Sequence, residues 1–146
     1  MTVSTTTLKA TFSGNGSTVA FAYSWKIFAD TELTVIVRTT ATGAESVRAI
    51  GTGSTNYAVS GVGETSGGNV TFVTAPESTE TIVILRSTGL SQGTDYQPAT
   101  SFPALSHEDA LDKLTHITQE LDEELGRSFK VSRSVTDLTT PEFTDA

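Results

Sequence analysis

The sequence predicts a mainly β fold, an antiparallel β-sandwich or small barrel, followed by one C-terminal amphipathic helix. Three observations carry that expectation. Short apolar runs with alternating phase recur through the first hundred residues, separated by Gly, Asn and Thr turn signals every 8–12 residues or so. A stretch broken by Gly89, Gly93, Pro98 and Pro103 then defeats regular structure. After it, residues 106–125 switch to a 3-4 apolar spacing. The organisation read from this is a β-rich unit over 1–105 including a crossing loop, an amphipathic helix over 106–127, and an extended segment over 128–146.

Taken in order, a first strand is expected from Thr5 to Phe12, with Leu8, Ala10 and Phe12 on one face. Gly14-Asn15-Gly16-Ser17 reads as a tight turn, and Val19, Phe21 and Tyr23 as a hairpin partner with its aromatic face inward. Trp25, Ile27 and Phe28 continue the apolar signal. Leu33 to Val37 has the density of a well-buried strand, Thr42 to Glu45 reads as a turn, and Ser46 to Ile50 returns. Asn56 to Ser60 forms a short strand, and Gly61 to Asn69 is the most flexible-looking part of the chain. Val70 to Val73 and Thr81 to Leu85 are the last two strands. The run Ser87 to Leu105 is then a crossing loop draped over the sheet and pinned by Tyr96 and Phe102.

The helix is expected to start at Ser106 as N-cap, with Asp109 three residues on, and to stop at Gly126-Arg127. Glu108, Asp109 and Asp112 fall near the positive end of its dipole. Leu111, Leu114, Thr118, Leu121 and Leu125 form a stripe that Ile117 widens. An isolated helix of this length is marginal in water, so the stripe must be covered. It either packs over its own sheet or is shared between chains. Leucine at most positions with Thr118 as a polar step is compatible with a short three-stranded coil.

Composition excludes several function classes. With no cysteine there is no disulfide, thiol chemistry or Cys-ligated zinc. A formal charge of −8, its acidic excess concentrated beyond residue 100, argues against nucleic acid as a partner. Met1-Thr2-Val3-Ser4 is not a signal peptide, and no apolar run reaches the roughly 20 residues of a membrane span, so a soluble protein with no membrane partner is expected. Asn15-Gly16-Ser17 and Asn69-Val70-Thr71 match the glycosylation acceptor pattern, which means nothing without a secretory route.

Candidate chemistry is sparse. His107 and His116 stand nine residues apart on one helix, about two and a half turns, and face different directions. They cannot share a metal from within that helix, and a solvent-facing or interface role is expected for both. Gly61 to Gly68 lacks the lysine and the following helix that a phosphate-cradling loop needs, and reads as a hairpin loop. Glu123 and Glu124 diverge by about 100° and form a solvated face. No metal, no cofactor and no catalytic residue is expected, and the protein is not read as an enzyme.

The order of motifs carries a resemblance. Phe12-Ser13-Gly14-Asn15-Gly16-Ser17 is followed by Val19-Ala20-Phe21-Ala22-Tyr23, Leu33-Thr34-Val35-Ile36-Val37 and Tyr57-Ala58-Val59. Gly68-Asn69-Val70-Thr71-Phe72 comes next, then Thr81-Ile82-Val83-Ile84-Leu85-Arg86-Ser87-Thr88. Asp95-Tyr96 leads through Phe102-Pro103 to a helix opening His107-Glu108-Asp109-Ala110-Leu111-Asp112. Over roughly residues 5 to 130 this resembles the N-terminal virion-anchoring domain of tail fibre proteins from short-tailed bacteriophages. The I-x-I-x-R-x-T strand, the F-P loop and the acidic-start helix are its most specific part.

The resemblance implies a homotrimer on the phage tail, at the junction of adaptor and nozzle proteins, assembled in the bacterial host cytoplasm. Its helix would lead into a coiled-coil shaft, with receptor recognition downstream. This sequence departs by stopping about twenty residues after the helix. The expectation is therefore a trimeric fibre anchor or adaptor carrying a separate fibre or tailspike. Leu111, Leu114, Thr118, Leu121 and Leu125 would set the trimer, and Ser128, Phe129, Lys130 and Val131 would begin the hand-off to that partner. The alternative is a carbohydrate-binding β-sandwich module with Trp25, Tyr57 or Tyr96 as stacking platform. A third reading, a polysaccharide-hydrolase fragment, needs convergent carboxylates that the scattered acidic residues do not offer.

Overall fold

Seven strands build two facing antiparallel sheets, and each strand's alternation dictates which face it buries. The computed structural model describes residue 3, residues 5–95 and 102–128, and the backbone of 130–131 and 143–144. The strands are β1 (Lys9–Ser13), β2 (Ala20–Tyr23), β3 (Leu33–Thr39), β4 (Glu45–Val47), β5 (Tyr57–Val59), β6 (Gly68–Phe72) and β7 (Glu80–Arg86). One sheet has the order β1-β7-β3-β4 and the other β2-β6-β5. The helix α1 (Ala104–Gly126) follows, and β8 (Lys130–Val131) pairs antiparallel with β9 (Phe143–Thr144). This is the predicted mainly β fold with a C-terminal helix, in its sandwich form rather than as a closed barrel.

The core fills the space between the sheets. Leu33, Val35 and Val37 of β3 and Ile82 and Ile84 of β7 face Phe21, Tyr23, Tyr57, Val70 and Phe72, with Trp25 and Ile27 also buried. Each such side chain contributes about 1.5–3 kcal/mol by leaving water. Edge-to-face and tilted ring contacts run through it, including Phe21–Phe72 at 5.7 Å and Tyr23–Trp25 at 5.6 Å. The β3–β7 pairing is the spine: seven residues on each strand, from Leu33 opposite Arg86 to Thr39 opposite Glu80. Burial pushes the Tyr23 and Tyr57 phenols above their ordinary value; for Tyr57, nearby Asp30 adds to this.

Several expectations change here. β1 begins at Lys9 rather than Thr5, although Ala10 and Phe12 do point to the core. β2 is not the hairpin partner of β1. β1 bonds to β7 and β2 to β6, so the Gly14–Ser17 turn carries the chain from one sheet to the other. Asn15 holds that crossing, its Oδ1 accepting the Ser17 and Thr18 amides at 2.9 and 2.7 Å. Phe12 and Phe21 then meet across the interior at 5.3 Å. Alternation alone could not say this, because an inter-sheet corner and a hairpin present the same apolar phase.

The Gly61–Asn69 stretch is a hairpin loop between β5 and β6, and it is internally bonded rather than loose. The Gly63 amide donates to Ile27 O, Glu64 to Gly61 O, and Gly67 to Glu64 O. Gly67 is buried at φ 79°, where a Cβ would strike the Tyr23 carbonyl oxygen, so only glycine fits. At the far end of the chain, Ser106 is not the N-cap. The cap position falls three residues earlier, at Pro103, with no side-chain cap bond. The C-terminal stop falls where expected, the Arg127 amide donating to the Glu123 and Glu124 carbonyls and the Ser128 amide to the Leu125 carbonyl.

Candidate functional site

At 100° per residue, Leu111, Leu114, Thr118, Leu121 and Leu125 fall within an arc of about 80° on α1. Asp112, His116, Gln119 and Glu120 occupy the opposite side. An ordinary surface helix would bury the first set. Here the buried residues of α1 are Asp112 and His116, at 5% and 2% exposure. The leucines stand at 52%, 60%, 53% and 58% exposure. The helix does lie on its own sandwich, but its apolar stripe points away from it.

What holds it there is a polar contact built around Arg86. In β7 the inward row reads Ile82, Ile84, Arg86, so the guanidinium emerges where the apolar core ends. Its Nε donates to Glu120 Oε1 at 2.8 Å, and Nη2 donates to Gln119 Oε1 at 2.7 Å and to the His116 carbonyl at 3.3 Å. Glu120 also accepts from the Thr88 amide at 2.9 Å and the Thr88 hydroxyl at 2.6 Å. Towards the N-terminus, the Val3 amide donates to Asp112 at 3.2 Å and Gln119 donates to the Thr5 carbonyl at 3.0 Å. Lys26 pairs with Asp109. Further along, Lys113 donates to the Ser91 carbonyl at 2.7 Å.

The contact is only partly satisfied. Arg86 Nη1 and His116 Nδ1 are buried with no hydrogen-bond partner. His116 packs its ring on Phe28, 5.7 Å between centroids, and its pKa is lowered from 6.5 to about 4. Loss of hydration is the main cause; Arg86 and then Lys26 also disfavour the charged form, while Glu120 favours it. His116 is thus neither solvent-facing nor on the leucine side, and its interface is with its own domain. His107, on the leucine side, sits against the Phe102 ring at 5.1 Å. Phe102 is itself 66% exposed, so it does not pin the crossing loop into the sheet; Tyr96 lies outside the described residues.

On the outer stripe, the Thr118 hydroxyl donates to the Leu114 carbonyl at 2.9 Å. The one polar position therefore brings no unpaired donor to the leucine face. Exposed apolar surface continues off the helix through Leu90 in the preceding loop, which lines a shallow cavity with Leu114 and Ile117. Ser128, the first of the expected hand-off residues, is exposed, and its hydroxyl donates to the Leu125 carbonyl at 2.7 Å. Phe129 lies outside the described residues, and Lys130–Val131 form β8.

Two of the three aromatic side chains named as a sugar platform are interior. Trp25 is 1% and Tyr57 2% exposed, so neither can stack on a ligand. Among the described residues, no group of three or more His, Cys, Asp or Glu side chains is placed to hold a metal ion. Nor is any described helix long and apolar enough to cross a membrane.

No family model matches the chain. Over 122 residues, 83% of its length, it is 33% identical to the "Tail spike protein" of Salmonella phage epsilon15. The similarity supports a phage tail protein. The matched stretch is 11% of that tail spike, so the chain spans about a tenth of the relative's length.

The leucine stripe was legible in the sequence; the polar contact beneath it was missed. Two signals pointed to it. Arg86 keeps the phase of a buried strand row, which a charged residue does only when paired. Asp112, His116 and Glu120 recur every four residues, a second stripe on the face opposite the leucines.

Proposed function

We propose that the chain is a structural component of a phage virion, a trimeric anchor or adaptor that attaches a fibre or tailspike to the tail, with no catalytic activity of its own. The observation that carries this reading is the outward leucine stripe of a helix whose other side is already occupied. Monomeric proteins bury such a stripe, and heptad-like 3-4 spacing suits a partner that offers the same stripe in return. Three copies of this chain meeting at Leu111, Leu114, Thr118, Leu121 and Leu125 would cover it. The similarity to a tail spike supports a place on the tail, among other tail components such as adaptor and nozzle proteins. In this reading assembly takes place in the bacterial host cytoplasm, and the finer assignment, a domain that anchors a fibre to the virion, follows the motif order set out above. Residues 128–146 would hand on to the fibre or tailspike chain.

The test is a double substitution on the stripe. Leu114→Asp with Leu121→Asp should leave circular dichroism and the cooperative melt of the sandwich intact while sedimentation velocity shows single chains. A variant that still sediments as three chains rules the stripe out as the trimer contact.

A further inference from the structure

The helix is attached to the sandwich by charges and hydrogen bonds, and that kind of attachment can be undone without touching the core. We infer that α1 is held by an acid-releasable latch keyed on Arg86, Glu120 and His116, so that acidification lets the leucine-bearing helix swing from its own domain while the sandwich stays folded. The inference concerns a single chain and does not depend on the trimer.

Three features of the geometry support it. First, the two buried positions of α1 are both ionisable, Asp112 and His116, whereas the sandwich core is apolar. Releasing the helix therefore returns ionisable groups to water, a favourable hydration that offsets the broken bonds. Second, the latch contains its own strain. His116 Nδ1 and Arg86 Nη1 are buried without hydrogen-bond partners, and each is satisfied by water once the helix leaves. Third, the bonds converge on a few atoms: Glu120 alone accepts from Arg86 Nε, the Thr88 amide and the Thr88 hydroxyl. Loss of one carboxylate opens most of the latch.

The direction with pH follows from the groups around His116. From β7 it faces Arg86, and from the segment after β2 it faces Lys26 and the Phe28 ring. On its own helix Glu120 lies one turn on and Asp112 one turn back, with Asp109 beyond, paired to Lys26. Both neighbouring cations and the loss of hydration oppose a proton on His116 while the helix is docked. In the released helix the imidazole returns towards its ordinary 6.5, against about 4 when docked. Its contribution to docking is therefore complete above pH 6.5 and is lost as pH falls towards 4. At pH 5 the docking equilibrium drops roughly 30-fold relative to pH 8.

The experiment is an NMR titration of the two histidine imidazoles in the intact protein, with His116→Leu assigning the His116 signal. Trp25, the one tryptophan and a core residue, reports on the sandwich through its fluorescence. The expected result is a His116 midpoint clearly below 6.5 that coincides with the helix leaving the sandwich, while Trp25 is unchanged. Arg86→Met should bring the midpoint back towards 6.5. Glu120→Gln breaks the ion pair with Arg86 and should move release of the helix to higher pH; it lies outside the core, so it remains informative if Arg86→Met does not fold. His116→Leu should keep the helix docked at pH values where the unaltered protein has released it. A His116 midpoint near 6.5 in the unaltered protein, or a helix still docked at pH 4, overturns the latch. Sedimentation run in parallel separates the two readings: single chains at every pH with a shifted His116 refute the trimer alone.

Discussion

The sandwich and the helix solve burial in opposite ways. The sandwich places Val35, Ile82, Ile84 and Val70 inside at essentially zero exposure, and its buried charges, Glu32 and Arg86, are few. The helix places Asp112 and His116 inside and turns Leu111, Leu114, Leu121 and Leu125 out. The first arrangement needs nothing beyond the chain to be stable. The second suits a lone protein badly, since it leaves four leucines wet. What the contrast teaches is that the domain uses the polar face of α1 and leaves its apolar face uncovered.

The same substitution should therefore have opposite outcomes in the two regions. Ile84→Asp puts an unpaired charge at the centre of the core and should cost at least about 4 kcal/mol, abolishing a cooperative urea transition. Leu114→Asp should leave that transition within about 0.5 kcal/mol under dilute conditions. If both variants unfold, the leucine face is packed against the sandwich after all.

The boundary between the regions is the next place to press. Arg86→Met removes one partner of an ion pair whose guanidinium side chain is fully buried, and should weaken helix docking by about 3 kcal/mol. Hydrogen exchange checks it: amides of 104–126 should lose protection while those of β3 and β7 keep theirs. Loss of protection in β7 as well would mean that Arg86 belongs to the sandwich core rather than to a separable latch.

Much of this division was readable from the residues. The strands and the leucine stripe announce themselves by period, 2 against 3-4, and the Gly61–Gly68 loop by its glycines. The partnering of strands was not readable, because Phe12 and Phe21 keep the same alternation whether Gly14–Ser17 is a hairpin or a corner between sheets. The helix start was misplaced for a local reason: Ser106 is a good cap residue, but Pro103 opens the helix earlier. The underside of α1 stayed hidden because hydrophobic patterning finds faces that leave water. This face is held by ion pairs and hydrogen bonds whose other halves, Arg86, Lys26 and Thr88, lie far away in sequence.

A smaller effect sharpens the comparison further. Gly67→Ala forces a Cβ against the Tyr23 carbonyl at a positive φ and should cost about 1–3 kcal/mol in the sandwich melt, with helix protection unaffected. Smaller still is Thr118→Val. Its hydroxyl already bonds the Leu114 carbonyl, so the change should alter monomer stability by less than about 0.5 kcal/mol, while tightening self-association if the stripe is the contact. Concentration-dependent sedimentation of the two proteins side by side reads that difference.

The central claim is that the outward leucines belong to a contact between copies. Sedimentation equilibrium of the intact protein, over a hundredfold range of concentration at neutral pH, tests it most directly. Mass should converge on three chains as concentration rises. A mass of one chain across the whole range, with the helix still docked, would contradict it.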